Sequence, residues 1–153
     1  VGSIDIEDAC LVLKSGYSGK CGLFDLSDGK QVIDFRYDDI TLLGFNRALG
    51  KDGSRRYLLD TSTGDVIASL PPNIGAAHFN ETPVTWIFRA KSYYGIIDEE
   101  GNILYEDAKD PLTSVTKFRH GFSGGQKDNK KWGILKSDGT WLVHPAYDYI
   151  KLL

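Results

Sequence analysis

Methionine is absent from the 153 residues of the chain, and cysteine occurs only twice. Since the sequence starts at Val1, the missing initiator leads us to expect a removed leader or a piece of a longer protein. Cys10 and Cys21 are too few for a disulfide framework. If a turn is centred on Tyr17, Cys21 faces Leu13 and not Cys10. We therefore expect two reduced, partly buried thiols.

Long apolar runs and a surplus of one charge are also lacking. No segment approaches the ~18 apolar residues that a membrane-spanning helix needs, so we expect no membrane span. The net charge of −3 gives no basic footprint for nucleic acid. The densest basic stretch, 127–131, is diluted by Asp128 and Asn129 and is best explained as a solvated loop. These absences leave the class of ordinary globular domains.

A repeat of near-constant length is present. Short apolar runs end in Gly, Asp, Ser or Asn, and the turn glycines align four copies. The equivalent positions are Gly22, Tyr57, Gly95 and Gly133, separated by 35, 38 and 38 residues. Such a period is typical of a repeat array and takes precedence over any single motif.

Each copy has the pattern of two strands joined by a tight turn. Asp28-Gly29 and Asp138-Gly139 are hairpin dipeptides, because Gly tolerates the positive φ of such turns. Aspartates precede three of the turns, where a carboxylate can accept backbone N–H bonds; they are Asp25, Asp60 and Asp98. No segment has a sustained apolar period of 3.6 residues. The sequence predicts an all-β protein with almost no helix.

The last copy carries a specific resemblance. Its residues read Lys131-Trp132-Gly133-Ile134-Leu135, then Gly139-Thr140-Trp141-Leu142-Val143-His144-Pro145 and Tyr147-Asp148-Tyr149-Ile150. This run resembles the WG-type (KWG) β-repeat of bacterial proteins. The first copy has Cys21 in the Trp column, and the second, most eroded copy has Tyr57 in the Gly column. The resemblance implies a structural repeat without a shared enzymatic activity.

The resemblance implies one WG-type repeat domain over 1–153. Its units would be 20–54, 55–92, 93–130 and 131–153, the last completed by 1–19. A strand from the N-terminal segment could then close the array in propeller fashion, since closure pairs two edges that would otherwise be exposed. The alternative is an open β-solenoid cut from a longer array.

Candidate catalytic and metal-binding residues are explained by the scaffold. Residues 121–125 fit G-x-S-x-G beside His120, but that motif needs a strand-to-helix turn, and Phe118, Gly121 and Ser123 fall on repeat positions. The recurring aspartates also fit turn positions. His78, His120 and His144 lack the spacing of metal ligands. We expect no catalytic residues, no metal, no cofactor and no enzymatic activity.

The stretch 76–93 departs most from the repeat pattern. Its aromatic and cationic residues belong to types that are enriched at binding hot spots, and the candidates are His78, Trp86, Arg89 and Tyr93. The alternative is that Trp86 and Phe88 fill core space lost in the eroded second copy. Trp132 and Trp141 occupy consensus positions and are expected in the core.

These patterns favour a non-enzymatic protein-binding module. One alternative is an immunity or inhibitor protein that neutralises a bacterial toxin, since a small acidic domain suits a basic toxin cleft. Another is a carbohydrate-binding envelope protein that stacks aromatic side chains on sugar rings. The expected partner is therefore another protein, with a glycan as the alternative and nucleic acid excluded.

Overall fold

A computed structural model of the chain describes residues 5–7, 9–89 and 93–151, with only the backbone described for residues 5–7. All regular structure in these ranges is β, in sixteen strands that form four antiparallel sheets of four strands each. The predicted all-β class is confirmed. The chain divides into two compact units, Val1–Ile74 and Gly75–Leu153.

The first unit contains two sheets. The strands of the first sheet are β1 (Asp5–Glu7), β2 (Cys10–Lys14), β3 (Cys21–Asp25) and β4 (Gln31–Tyr37). Those of the second are β5 (Asp39–Gly44), β6 (Arg47–Asp52), β7 (Arg55–Asp60) and β8 (Val66–Leu70). The core of the unit draws on both sheets, for example on Leu23, Tyr37, Ile40, Ala48 and Leu59.

The second unit repeats this plan. The strands of its first sheet are β9 (Gly75–Ala76), β10 (Val84–Arg89), β11 (Tyr93–Asp98) and β12 (Ile103–Glu106). The other sheet contains β13 (Leu112–Val115), β14 (Phe122–Lys127), β15 (Trp132–Lys136) and β16 (Trp141–Tyr147). Its core includes Trp86, Ile96, Leu112, Phe118 and Leu135.

The sequence repeat corresponds to the third and fourth strands of each sheet. Gly22, Tyr57, Gly95 and Gly133 lie on β3, β7, β11 and β15. In the first and last sheets the register shifts beside the column glycine, and a Cβ at Gly133 would lie 2.5 Å from the Val143 carbonyl oxygen. In the second sheet Tyr57 pairs regularly with Ser69. Gly95 on β11 also pairs regularly, with Glu106, so register alone does not explain why Tyr57 stands in the glycine column.

The turns between third and fourth strands also agree with the sequence. Gly29, Gly64, Gly101 and Gly139 all have positive φ, between 73° and 87°. The aspartates before these turns accept the predicted backbone bonds. The Oδ1 atom of Asp25 accepts from the Ser27 N–H at 2.8 Å, and Asp60 and Asp98 accept from Ser62 and Glu100. Their recurrence is thus explained by turn geometry.

Ion pairs account for two further columns of the repeat. Lys20, just before β3, pairs with Asp38, just after β4, and Lys131 pairs with Asp148 in the last sheet. In the third sheet Tyr93 occupies the lysine position, and its hydroxyl donates to Glu106 Oε2 at 2.8 Å. The Lys and Tyr-Asp columns therefore link the start of the third strand to the end of the fourth.

The sheets divide the chain differently from the predicted sequence units. They cover 5–37, 39–70, 75–106 and 112–147, so each begins two strands before the repeat column. Residues 10–14 pair with β3 in the first sheet, whereas the predicted unit used 1–19 to complete the last copy. Cys21 faces Lys14 and Cys10 faces Asp25, so the expected Cys21–Leu13 pairing is wrong by one residue.

Candidate functional site

The second unit carries two adjoining depressions on its surface, which share residues 116 and 117. The larger, about 710 Å³, is lined by Asn80, Glu81, residues 116–119 and Ile150. The smaller, about 260 Å³, is lined by Ala77, Trp86, Phe88, Tyr94 and residues 115–117. We call the two together the Lys117 groove. It is the candidate site of this unit.

The 116–119 segment of the groove is fixed by backbone hydrogen bonds to β14. The Thr116 N–H donates to the Gly124 carbonyl at 3.0 Å, and the Gly124 N–H donates to Thr116 Oγ1 at 2.8 Å. Arg119 and Phe122 exchange two backbone bonds, at 2.8 and 2.9 Å. Lys117 and Arg119 therefore project from a rigid loop, which lowers the entropy cost of binding through them.

The floor of the groove is aromatic. The rings of Trp86 and Phe118 stack with centroids 5.7 Å apart and planes 24° apart. The indole Nε1–H of Trp86 donates to Ser123 Oγ at 3.0 Å and to the Thr116 carbonyl at 3.1 Å. Both rings are buried, at 3% and 4% exposure. Because the indole N–H is hydrogen-bonded, the position of the Trp86 ring in the floor is fixed.

An apolar wall stands beside this floor. The Phe88 side chain is 38% exposed, and its ring lies 6.3 Å from that of Tyr94. Phe88 packs closely over Gly75, so a side chain at that position would displace the ring. Tyr94 in turn meets the Trp86 ring edge-on at 6.1 Å. This wall offers a large, rigid aromatic contact area to a ligand.

The charges of the groove come mainly from one loop. Lys117 and Arg119 are exposed, and neither side chain makes an ion pair or hydrogen bond within the described part of the chain. Glu81 is the one carboxylate lining the groove, and its Oε2 accepts the His120 N–H at 3.0 Å. When the second and fourth sheets are compared by the register of their second and third strands, Lys117 and Arg119 are equivalent in position to Leu42 and Gly44. The scaffold therefore does not require cations at these positions.

The four residues predicted from the sequence have different environments. Trp86 is buried under the groove, as the alternative interpretation expected, and Tyr93 is also buried, at 9% exposure. Arg89 and Tyr93 are brought together, with the guanidinium 5.1 Å from the ring centroid. His78 is exposed, and its carbonyl accepts the Thr85 hydroxyl at 3.1 Å. None of these but Trp86 lines the groove.

Tyr93 is held in its neutral form. Burial, the hydrogen bond to Glu106 and the charge of that carboxylate raise the pKa of the Tyr93 phenol to about 12. The aromatic stacking surface that a sugar ring would need is covered at both Tyr93 and Trp86. Neither of these two rings therefore presents an exposed face for stacking on a sugar.

Sequence reasoning missed residues 116–119, because Phe118 and Ser123 matched the repeat pattern and were assigned to the scaffold. A signal was present in Lys117 and Arg119, which flank the buried Phe118 as two charges beside a core position. The alternative interpretation expected Phe88 in the core together with Trp86, but the Phe88 side chain is 38% exposed, because its ring packs over Gly75 at the surface of the sheet. Comparison of charged residues, as well as aromatic ones, against the repeat pattern would have identified the loop.

The G-x-S-x-G segment does not form a nucleophile elbow. Ser123 lies within β14, is 0% exposed and donates its hydroxyl hydrogen to the Thr116 carbonyl at 2.6 Å. His120 lies in the turn before β14 with a φ of 53°. An elbow instead exposes its serine at a strand-to-helix turn. The hydroxyl is used to join Trp86 to the 116–119 loop.

Other chemistry-bearing groups are also integrated into the fold. A depression of about 400 Å³ in the first unit is lined by Cys21, Asp38 and Asp39, among others. Cys21 is buried, and burial followed by the charge of Asp39 raises the pKa of its thiol.

In the described ranges, no three His, Cys, Asp or Glu side chains cluster in a way that could hold a metal ion. A search of the same residues finds no helix with the length and apolarity to cross a membrane.

Comparison with solved structures places the fold among known β architectures. BamB from Moraxella catarrhalis, a β-propeller-like protein, matches 90% of this chain at 18% identity and a TM-score of 0.51. The computationally designed Ika4 protein matches 87% of the chain at 15% identity and a TM-score of 0.53. Hsv2p of Kluyveromyces lactis matches 88% at 12% identity and a TM-score of 0.52.

These similarities concern the fold alone. The chain spans 40% of the BamB chain and 45% of the Hsv2p chain, but 88% of Ika4. No family model matches the sequence. No curated protein matches it either. The comparisons thus show an all-β fold that is similar to those of repeat and propeller-like β proteins.

Proposed function

We propose that the chain is a non-enzymatic protein-binding module that uses the Lys117 groove. The observation that carries this proposal is the combination of an exposed aromatic wall and two uncommitted cations on a rigid loop. Aromatic and cationic side chains dominate the energetics of protein interfaces. The similarity to propeller-like proteins, a class that often mediates protein interactions, supports the same function.

A photo-crosslinking experiment tests the proposal. Benzoylphenylalanine is placed at position 88, or at position 142 as a control, since Leu142 on β16 is also exposed. We expect one protein from the native organism to crosslink at 88 and not at 142. That protein is then purified, and its affinity for the full chain is measured.

Point variants test whether the partner binds in the Lys117 groove. With the purified partner, Phe88→Ala and Lys117→Glu should each raise Kd about tenfold, whereas Leu142→Ala should leave it unchanged. Thermal unfolding of each variant shows whether the fold is retained. Equal affinities for all folded variants would contradict the proposal.

The non-enzymatic part of the proposal has its own test. Because the Ser123 hydroxyl is buried and bonded to Thr116, a fluorophosphonate probe should not label the folded chain. Mass spectrometry of the probe-treated protein reads this out. Labelling that disappears in Ser123→Ala would contradict the proposal.

We also propose, from the sequence columns, that the chain is a WG-type repeat protein with a closed, propeller-like arrangement of its sheets. A compact chain of this length has a radius of gyration of about 15 Å. Small-angle X-ray scattering of the monomer should give that value. A clearly larger radius would favour the open solenoid.

A further inference from the structure

The charge of the Lys117 groove is opposite in sign to that of the whole chain. The chain has 21 acidic and 18 basic side chains, yet the groove is lined by two cations and one carboxylate. That carboxylate, on Glu81, already accepts a backbone N–H through one of its oxygens. An acidic ligand is therefore attracted locally, and a basic ligand is repelled.

The two cations lack the ion pairs that several other cations of the fold make. Lys20 and Lys131 pair with Asp38 and Asp148, and Lys127 pairs with Asp107. Neither Lys117 nor Arg119 has such a partner anywhere in the described ranges. Their charged groups serve no internal contact, and the guanidinium of Arg119 can form a bidentate pair with a carboxylate.

The apolar part of the groove distinguishes a peptide from a simple anion. Phe88, exposed at 38%, and Tyr94 stand next to Lys117 in the smaller depression. Ile150 lines the larger depression beside Arg119. A small anion would pair with the cations and leave these apolar side chains in contact with water. A segment with an apolar side chain covers both kinds of surface.

We infer that the Lys117 groove binds an acidic peptide segment that carries a bulky apolar side chain. Carboxylates of the segment pair with Lys117 and Arg119, and its apolar side chain packs against Phe88 and Tyr94. The inference rests on the protein-binding function proposed above and specifies the chemistry of the partner.

Selection from a displayed random-peptide library tests the inference. The full chain is the target, and the double variant Lys117→Glu with Arg119→Glu is used for counter-selection. We expect the enriched peptides to combine aspartate or glutamate with an aromatic or large aliphatic residue. The best of them, made synthetically with a fluorophore, should bind the double variant about tenfold more weakly or worse by anisotropy. Added salt should weaken its binding to the parent chain.

A matched variant controls for net charge. Lys30→Glu with Lys130→Glu makes the same change in charge at two exposed turn lysines that do not line the groove. Its affinity for the peptide should stay within about twofold of the parent. Thermal unfolding of both double variants shows that each is folded.

The outcomes separate this inference from the proposed function. Neutral or basic peptides that lose affinity in Phe88→Ala but not in the charge variant would overturn the acidic specificity and leave the binding function standing. Enrichment of no peptide, or only of peptides indifferent to every groove variant, would overturn peptide binding in this groove. A natural partner crosslinked at position 88 would then still support the proposed function.

Discussion

At the scale of single residues, Lys127 is the one charged side chain that is buried among the residues the structure describes. It is 8% exposed, and its Nζ lies 3.2 Å from Asp107 Oδ2 and 3.4 Å from the Tyr105 hydroxyl. Burial lowers the pKa of this ammonium group, but the Asp107 carboxylate and the Tyr105 hydroxyl outweigh it, so that the pKa is raised overall. The ammonium group also lies 6.0 Å from the centroid of Trp141. It therefore ties the end of β14 to the segment after β12.

Replacing Lys127 should destabilise the second unit. Lys127→Met keeps most of the side-chain volume but leaves Asp107 and Asp110 without their cation, so we expect a loss of about 1–2 kcal/mol in the free energy of unfolding. Urea denaturation measures it. Lys131→Met is the control, because its partner Asp148 is 87% exposed and should change stability little. A larger effect at Lys131 than at Lys127 would contradict this account.

Tyr93 should be among the last tyrosines to ionise. Its pKa of about 12 is raised by burial and by Glu106. The associated stability is complete below the unfolded pKa of about 10 and is lost as pH rises toward 12. In an absorbance titration, Tyr93→Phe should lack one late-titrating tyrosine. In Glu106→Gln the same tyrosine should ionise at lower pH. An unchanged titration in Tyr93→Phe would disprove the assignment.

At the scale of strands and turns, local chemistry made much of the fold predictable. The Asp-Gly turns and the column glycines depend on residues close in sequence, so the hairpins of third and fourth strands could be inferred. Sheet boundaries could not, since the first two strands of each sheet vary; β9 is only Gly75–Ala76. The groove combines residues between 77 and 88 with Tyr94, 115–119 and Ile150, and their proximity depends on tertiary packing.

Two glycine turns offer a matched test of backbone and steric effects. Gly29 and Gly64 have φ of 73° and 81°, but a Cβ at Gly29 meets nothing within 4 Å, whereas at Gly64 it clashes with the Val32 carbonyl. Gly29→Ala should cost about 1–2 kcal/mol from backbone strain alone. Gly64→Ala should cost clearly more. Denaturant unfolding measures the loss of stability in both variants. Equal losses would mean that the turn at Gly64 moves away from Val32 at no cost.

At the scale of the whole molecule, lowered carboxyl pKa values occur in both units. Hydroxyl bonds from Ser27 and Thr140, followed by backbone N–H bonds, lower the pKa of Asp25 and Asp138. Backbone N–H bonds from Gly53 and Asp110 are the largest cause of the lowered pKa values of Asp38 and Asp107. Contacts with lysine lower both values further, while burial opposes the shift. Each such group favours the folded state when ionised.

The protein should therefore lose stability in acid. A lowered folded pKa contributes stability that is present above the unfolded pKa of about 4 and is lost as pH falls through the folded value. The melting temperature should decline below about pH 4. Asp25→Asn with Asp138→Asn should reduce stability near neutral pH and flatten this decline. A decline as steep as that of the parent would show that other groups control acid unfolding.

The strand order of the sheets has a consequence for how the chain folds. Within the described strands, every sheet partner is the preceding or the following strand in sequence. Sheet formation therefore requires only short loops to close, and topologies of this kind fold quickly for β proteins. Since the core of each unit draws on both of its sheets, a unit can fold once its eight strands have emerged from the ribosome, so synthesis and folding can proceed together from the N-terminus.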